Sequence, residues 1–524
     1  MLEQVKEQVS LRLGEDDPSL VPYFKSYQKE FKGSWRSSSY KELFFELSQA
    51  KVVLGADFHA HSQSQRVHLR LLREFSKEKN WALALECFEA KDQKWVDLLV
   101  EKKIKEKEFL RKIQWEKRWG FPWAHYRPLI KLAIQKKIPI IAMNKHFKSR
   151  TLESLNKRDA FAAKIIEKTL TKQKVDLVYV IYGDLHLSRE HLPEKLKSLL
   201  NLKKKDMITI FQNSEKLYFQ LARQGQEHQI EVLKGAHDRY CIIGTPPWVK
   251  WQNYLVFLDK NIEFDSEESE DMDYTDSVKN QIVFILKELK IKLSLNDLEV
   301  YSLKDENFWR SLNKKLRPED KKRLNFFIKN SRSFYLSEQN VFCLAQLTMN
   351  HISEVAGHYI QAKLSGRQNN VWKMPGEFTQ VIWLEAIGFF MSKLVNHKRK
   401  SETLKSLKAR LSVSQPKDQG REALLLALDQ RLCEILSFQG HVSFSRKFNP
   451  KRNDVYFETG RILGHMLGDK IFMAYRVGRM KRKDLLHILK FDISSAEFPD
   501  EYARVVALVE NMDSPLSLGG MIYG

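Results

Sequence analysis

The sequence predicts an α/β fold: an amino-terminal, mostly parallel sheet covered by helices, followed by a mainly α-helical carboxyl-terminal domain. Three observations predict it. Between about residues 50 and 220, short apolar runs alternate with longer amphipathic stretches, the pattern of buried parallel strands separated by covering helices. The stretch EFDSEESEDMDYTD, residues 263–276, is acidic and nearly devoid of apolar residues within a basic chain, which marks a linker or exposed loop. Beyond it, amphipathic stretches follow one another near 318–330, 337–365, 377–396, 420–436, 453–477 and 497–511, which reads as a helical bundle. A length of 524 residues exceeds one hydrophobic core, so two domains are expected, 1–262 with a core at about 40–250, and 277–524.

The strand candidates, in order, are KVVLGAD (51–57), WALALECFE (81–89), IPIIAMN (138–144) and VDLVYVIYGD (175–184), followed by the more polar MITIFQ and LYFQL. Helical stretches Gln65 to Glu78, His125 to Lys136 and Asp159 to Lys172 lie between them. In the second half Gly460, Gly464 and Gly468 form one stripe of a helix, where missing side chains let another backbone approach. Glu458, Arg461 and Asp469 on that helix argue for packing within the bundle rather than in a membrane.

Composition bounds the function. An apolar fraction of 43% with 29% charged residues is that of an ordinary globular protein. No uncharged apolar run reaches the roughly 18 residues of a membrane span. The four cysteines, Cys87, Cys241, Cys343 and Cys433, are far apart and form no CxxC pair, against a zinc knuckle or a disulfide framework. The first residues lack the pattern of a secretory signal, so as written the chain is expected in the cytoplasm. Lysine and arginine exceed the acids by 88 to 66, a net +22, which favours anionic partners. The basic clusters are short and interleaved with acids or apolar stripes, however. A nucleic-acid or membrane-surface binder lacks the aromatic and basic interleaving of a recognised module.

In a parallel sheet, ligands bind beyond the carboxyl ends of the strands. The first candidate strand ends in Asp57-Phe58-His59, the second in Glu86-Cys87-Phe88-Glu89, the third in Asn144-Lys145-His146 and the fourth in Asp184-Leu185-His186. The Asp-x-His sequence at two strand ends, with one carboxylate from Glu86, suits a transition metal or iron. His59, Glu86 and His186 are therefore the primary candidates, with Asp57 and Asp184 as further metal ligands. Tyr126, in an aromatic segment with Trp115, Trp119 and Trp123, is a lesser candidate that offers a phenolate to ferric iron. Taken singly, a strand-end histidine is more often a hydrogen-bonded loop residue than a ligand, a lone glutamate is usually an ion-pair partner, and the aromatic segment more often packs as core. Their coincidence at several strand ends points to a shared rim.

These residues together resemble the ChaN-like haem-binding domain of the Tiki superfamily, which includes erythromycin esterases and TraB-type proteins. The resemblance covers roughly residues 40–250 and rests on ADFHAH, ALALECFEA, WAHYRPLIKLAIQKKIPIIAMN, KRDAFAAKI and YGDLHLSREHLP. The superfamily pattern of two Gly-x-x-His motifs and an intervening glutamate falls on Ala56 to His59, on Glu86 and on Gly183 to His186. Ala56 stands where glycine is usual, after Gly55, and Asp57 replaces the usual glutamate.

The resemblance implies haem or iron handling, often by envelope lipoproteins, although no lipobox is present here. It leaves two functions open. One is a haem-binding or divalent-metal-binding protein with His59 and His186 as ligands. The other is a metal- or histidine-dependent hydrolase in which His59 activates water, Glu86 takes or orients the proton and His186 holds metal or charge. The helical half has no assigned function. Its His351, Glu354, His358, Glu385, Glu458 and His465 read as a satisfied polar network rather than a bundle metal site.

Overall fold

A computed structural model of the chain describes residues 2–13, 18–75, 80–147, 151–172, 175–236, 239–265, 275–295, 298–302, 305–330, 332–345, 348–368, 378–415, 418, 420–438 and 453–512. Backbone contacts divide the chain into two compact units, Met1–Ser266 and Glu267–Gly524. Most of the acidic stretch 263–276 lies outside the described residues.

In the first unit the strands are β1 (Trp35–Ser38), β2 (Val52–Asp57), β3 (Trp81–Glu89), β4 (Ile140–Asn144), β5 (Leu177–Gly183), β6 (Met207–Gln212), β7 (Val232–Gly235) and β8 (Arg239–Ile242). They form one sheet in the order β1-β7-β8-β6-β2-β5-β3-β4. All neighbours from β8 to β4 run parallel, and β7 and β1 add an antiparallel edge. Successive residues point to opposite faces of a strand. Val53, Leu83, Tyr179 and Ile208 accordingly enter one apolar layer, and Leu54, Ala84, Val180 and Phe211 enter the other. With both faces buried, these strands are apolar at nearly every position, which is why they stand out in the sequence.

The sheet corrects one strand expectation. LYFQL lies within the helix Glu215–Arg223. Its buried residues are Leu217, Tyr218 and Leu221, a spacing of one and four that fits one face of a helix and not the alternation of a strand. The edge strand β1 and its neighbour β7 give no comparable apolar run, and β8 is only four residues long.

The second unit is mainly helical, and the helices Met349–Ser365, Phe378–Val395 and Asn453–Arg476 form its centre. A Cβ on Gly464 would lie 2.8 Å from Ile382 O and overlap Glu385 Cβ, and one on Gly468 would overlap Ala386 O. The glycine stripe thus permits backbone contact within the bundle. Phe378–Val395 is, among the described residues, long and apolar enough to cross a membrane, with mean hydropathy 1.3, yet 78% of it is buried inside the protein. The helix expected from 337 begins only at Met349. Before it, β10 (Phe334–Leu336) and β11 (Val341–Leu344) form a hairpin, and β11 pairs with β9 (Glu299–Ser302). Asn340 turns the hairpin at φ 56°, a conformation that asparagine tolerates better than most residues.

Candidate functional site

Strand order assembles the site. β5 lies between β2 and β3, with Asp57 opposite Gly183 and Leu85 opposite Ile181. The ends of these three strands therefore present His59, Glu86 and His186 at one rim. Gly183 marks their meeting point: a methyl group on it would sit 3.3 Å from Glu86 Oε2, 3.4 Å from His186 Cδ2 and 3.5 Å from His59 Nε2. The pairing of β3 with β4 shifts register between Leu85 and Glu89, an irregularity of the kind that re-aims side chains beside functional sites.

His59 is held from behind. Its Nδ1 lies 2.9 Å from Asp57 Oδ2, and because an ionised carboxylate only accepts, that nitrogen carries the proton and Nε2 is left facing the rim. Asp57 also accepts a hydrogen bond from Tyr126 Oη at 2.9 Å and one from Gln65 Nε2. The His59 ring packs against Trp119 and Phe121, with centroids 4.6 and 5.0 Å away. Burial opposes charge on this imidazole, but the carboxylates of Asp57, Glu86 and Asp184 together outweigh it and raise the pKa above its ordinary value.

Glu86 and His186 are equally constrained. Arg158 Nη2 donates to Glu86 Oε1, and the Gly183 N–H donates to Glu86 Oε2 at 2.6 Å. His186 Nδ1 lies 2.6 Å from Asp159 Oδ1, and Tyr23 Oη, which donates to Asp159 Oδ2 at 2.7 Å, is 2.8 Å from the same nitrogen. The rim thus holds two carboxylate-backed imidazoles on either side of an arginine-paired glutamate. Gly55 has a separate task from the glycine usual one position later, since a Cβ there would overlap the ring of His68, with Nδ1 only 2.9 Å away.

The structure gives each of these candidates its protein partners. Among the described residues, no group of three or more His, Cys, Asp or Glu side chains is arranged to hold a metal ion. His59, Glu86 and His186 converge on one rim, with both oxygens of Glu86 engaged by Arg158 and the Gly183 N–H. Asp57 orients His59. Asp184 accepts from Tyr27 Oη at 3.1 Å and stands 3.7 Å from Lys250 Nζ. Tyr126 is buried and donates to Asp57, and burial with that carboxylate holds its phenol well above the ordinary pKa. It supports Asp57 and, through it, His59.

Sequence reasoning missed Arg158, Asp159, Tyr23 and Gln65. The first two adjoin each other in KRDAFAAKI, a stretch that stood out without its roles being visible. Nothing nearby in the chain marks Tyr23 as a partner of His186, 163 residues away.

The rim opens into a cavity of about 1010 Å³. Phe58, Trp119, Phe121, Phe147, Trp251 and Tyr254 contribute aromatic walls. Among the described lining residues, seven lysines and arginines face four carboxylates, Asp57, Glu86, Asp184 and Glu215, so the cavity suits an apolar ligand bearing negative charge.

The buried polar groups of the helical unit form a paired network. Arg399 Nη2 lies 2.6 Å from Glu354 Oε1, His465 Nε2 lies 3.2 Å from that oxygen, and Arg332 Nη2 lies 3.0 Å from Glu458 Oε2. His358 Nε2 lies 3.1 Å from Leu384 O. Burial pushes both His358 and His465 down to about 4.

Comparison with known proteins gives one family match: residues 43–151 match the family model described as haem-binding uptake, Tiki superfamily, ChaN. A solved structure described as "Cofacial heme binding to ChaN of Campylobacter jejuni" aligns at 15% identity over 34% of this chain and 88% of that chain, with a TM-score of 0.27. No curated protein matches. The matched segment starts before β2, ends after β4 and contains both His59 and Glu86, so this part of the amino-terminal unit is similar to the ChaN family of the Tiki superfamily.

Proposed function

We propose that the amino-terminal unit binds haem in this cavity, with His59 Nε2 as the iron ligand, and serves haem or iron handling. The observation that carries the reading is the Asp57–His59 pair on an aromatic-walled cavity. A metal-ligating histidine characteristically donates its second ring nitrogen to a carboxylate, which fixes the tautomer and strengthens the ligating nitrogen. The residues fit the group. The bare Cα of Gly183 leaves room beside Nε2, flat rings supply apolar walls, and the cationic lining suits two propionates. Bound haem would supply an iron centre whose reactivity depends on its axial ligand and on the polarity around it. The protein's own residues orient His59 through Asp57, Tyr126 and Gln65, and hold Glu86 in place through Arg158. The matched family description supports haem in particular.

Titration of the purified chain with haemin tests this. Saturable uptake with a Soret band, altered in position and at least tenfold weaker in His59→Ala, is expected, since loss of an axial bond removes more than the 1.4 kcal/mol that a factor of ten represents. Uptake unchanged in His59→Ala refutes His59 as the ligand.

A second reading is a histidine-dependent hydrolase on the same rim. The raised pKa of His59 and its Asp57 partner, the arrangement of a general base, favour it. Turnover of an ester or peptide panel, lost in His59→Ala and in Glu86→Ala without any haem uptake by the parent chain, would select it over haem binding.

A further inference from the structure

Lys250 is a buried cation inside this cavity. It lies on the helix Pro247–Asp265, is 7% exposed and lines the cavity wall. Its Nζ is 4.3 Å from the centroid of Phe58, and Lys250, Phe58 and His59 line the same cavity. Asp184, its paired carboxylate, is 3.7 Å away, beyond hydrogen-bond reach, and is itself bonded by Tyr27. Three other cations of the lining are more closely matched: Arg158 to Glu86, Arg118 to Asp92 at 2.9 Å and Lys6 to Glu215 at 2.6 Å. Lys32, Lys145 and Lys216 are exposed. A buried ammonium with three donors and no close acceptor is costly in the free protein. A ligand anion at that point would relieve the cost.

We infer that Lys250 is the anchor for a carboxylate of the cavity's ligand, and that the site selects porphyrins carrying a free propionate over their uncharged esters. This rests on the haem reading and adds a specificity to it. The propionate would take the donors that Asp184 leaves unused, within the cavity that His59 also lines, and the Phe58 ring beneath the ammonium holds the lysine in place by a cation–π contact.

The test compares haemin with haemin dimethyl ester on the full chain, read by Soret titration. The parent protein is expected to bind haemin at least tenfold more tightly than the ester, the scale of a hydrogen bond between charged groups. Lys250→Met should remove that preference by weakening haemin alone, Lys250→Arg should restore it, and Asp184→Asn, which removes the competing acid, should increase it. If Lys250→Met fails to fold, the other two variants carry the test. A preference for haemin that Asp184→Asn leaves unchanged, or that persists in a folded Lys250→Met, overturns the assignment while leaving haem binding intact. Failure of the parent protein to take up either porphyrin overturns the haem reading and the anchor with it.

Discussion

Glu385→Gln should stabilise the helical unit at pH 8 and leave it unchanged near pH 4. Glu385 lies on Phe378–Val395, and Gly464 on the neighbouring helix has no side chain, so Glu385 Cβ packs directly against that backbone. Burial raises its pKa from 4.5 to about 7, with Glu354 and Glu458 adding to the rise and Arg332 and Arg461 opposing it. His465 Nε2, its nearest imidazole nitrogen, is 3.9 Å away. Between pH 4.5 and 7 the folded protein holds a proton that the unfolded chain has released, so stability falls as pH rises through that window. At about 1.36 kcal/mol per pH unit of displacement, the full penalty above pH 7 is about 3 kcal/mol. A glutamine copies the protonated form and does not titrate. Hydrogen exchange of the backbone amides of residues 378–395, corrected for intrinsic rates, should show protection free energies about 3 kcal/mol higher in the variant at pH 8. That gap should close as the pH falls to 4.5. A gap that is constant with pH, or a variant less stable at pH 8, refutes the reasoning.

Three further outcomes concern the amino-terminal site. Asp57→Asn leaves burial as the dominant influence on His59, so its imidazole pKa, followed by NMR, should fall below 6.5. Ligation requires the neutral ring, so the loss of haemin binding on acidification should move to lower pH; a limb that stays in place counts against His59. Gly183→Ala puts a methyl group within 3.3–3.5 Å of Glu86, His186 and His59, and haemin affinity should fall tenfold or more while the melting temperature moves only a few degrees. Wild-type affinity in that variant would show that the ligand does not enter between these side chains. Arg158→Met strands the Glu86 carboxylate, 3% exposed, at a cost of about 3–5 kcal/mol. Adding Glu86→Gln should recover most of it in urea unfolding, and a double variant no more stable than Arg158→Met would contradict the pairing.

Much of the fold was legible because burial on both faces leaves a parallel strand apolar throughout, and β2 to β6 were visible as such runs. β1 and β7 were not, being four-residue strands in the antiparallel part of the sheet, with β1 at its edge and pairing across about 200 residues of sequence. LYFQL was misread because a short apolar run does not distinguish a strand from one face of a helix. β11 was hidden in the same way, inside the stretch 337–365 that reads as amphipathic, and β10 is a three-residue strand just before it.

By itself the sequence determined which side chains stand at strand ends, namely His59, Glu86 and His186, since chain order and strand length fix the residues at the close of each apolar run. It also determined that glycines 460, 464 and 468 share one helix stripe, because helical geometry is local. Only the tertiary structure decided that β5 enters between β2 and β3, and hence that these three side chains surround Gly183. Their roles were decided there too. Hydrogen bonding to Asp57 aims the His59 nitrogen, Arg158 pairs with Glu86, and burial leaves Lys250 short of an acceptor. Such roles depend on distances across the sheet, and no local pattern of residues encodes those distances.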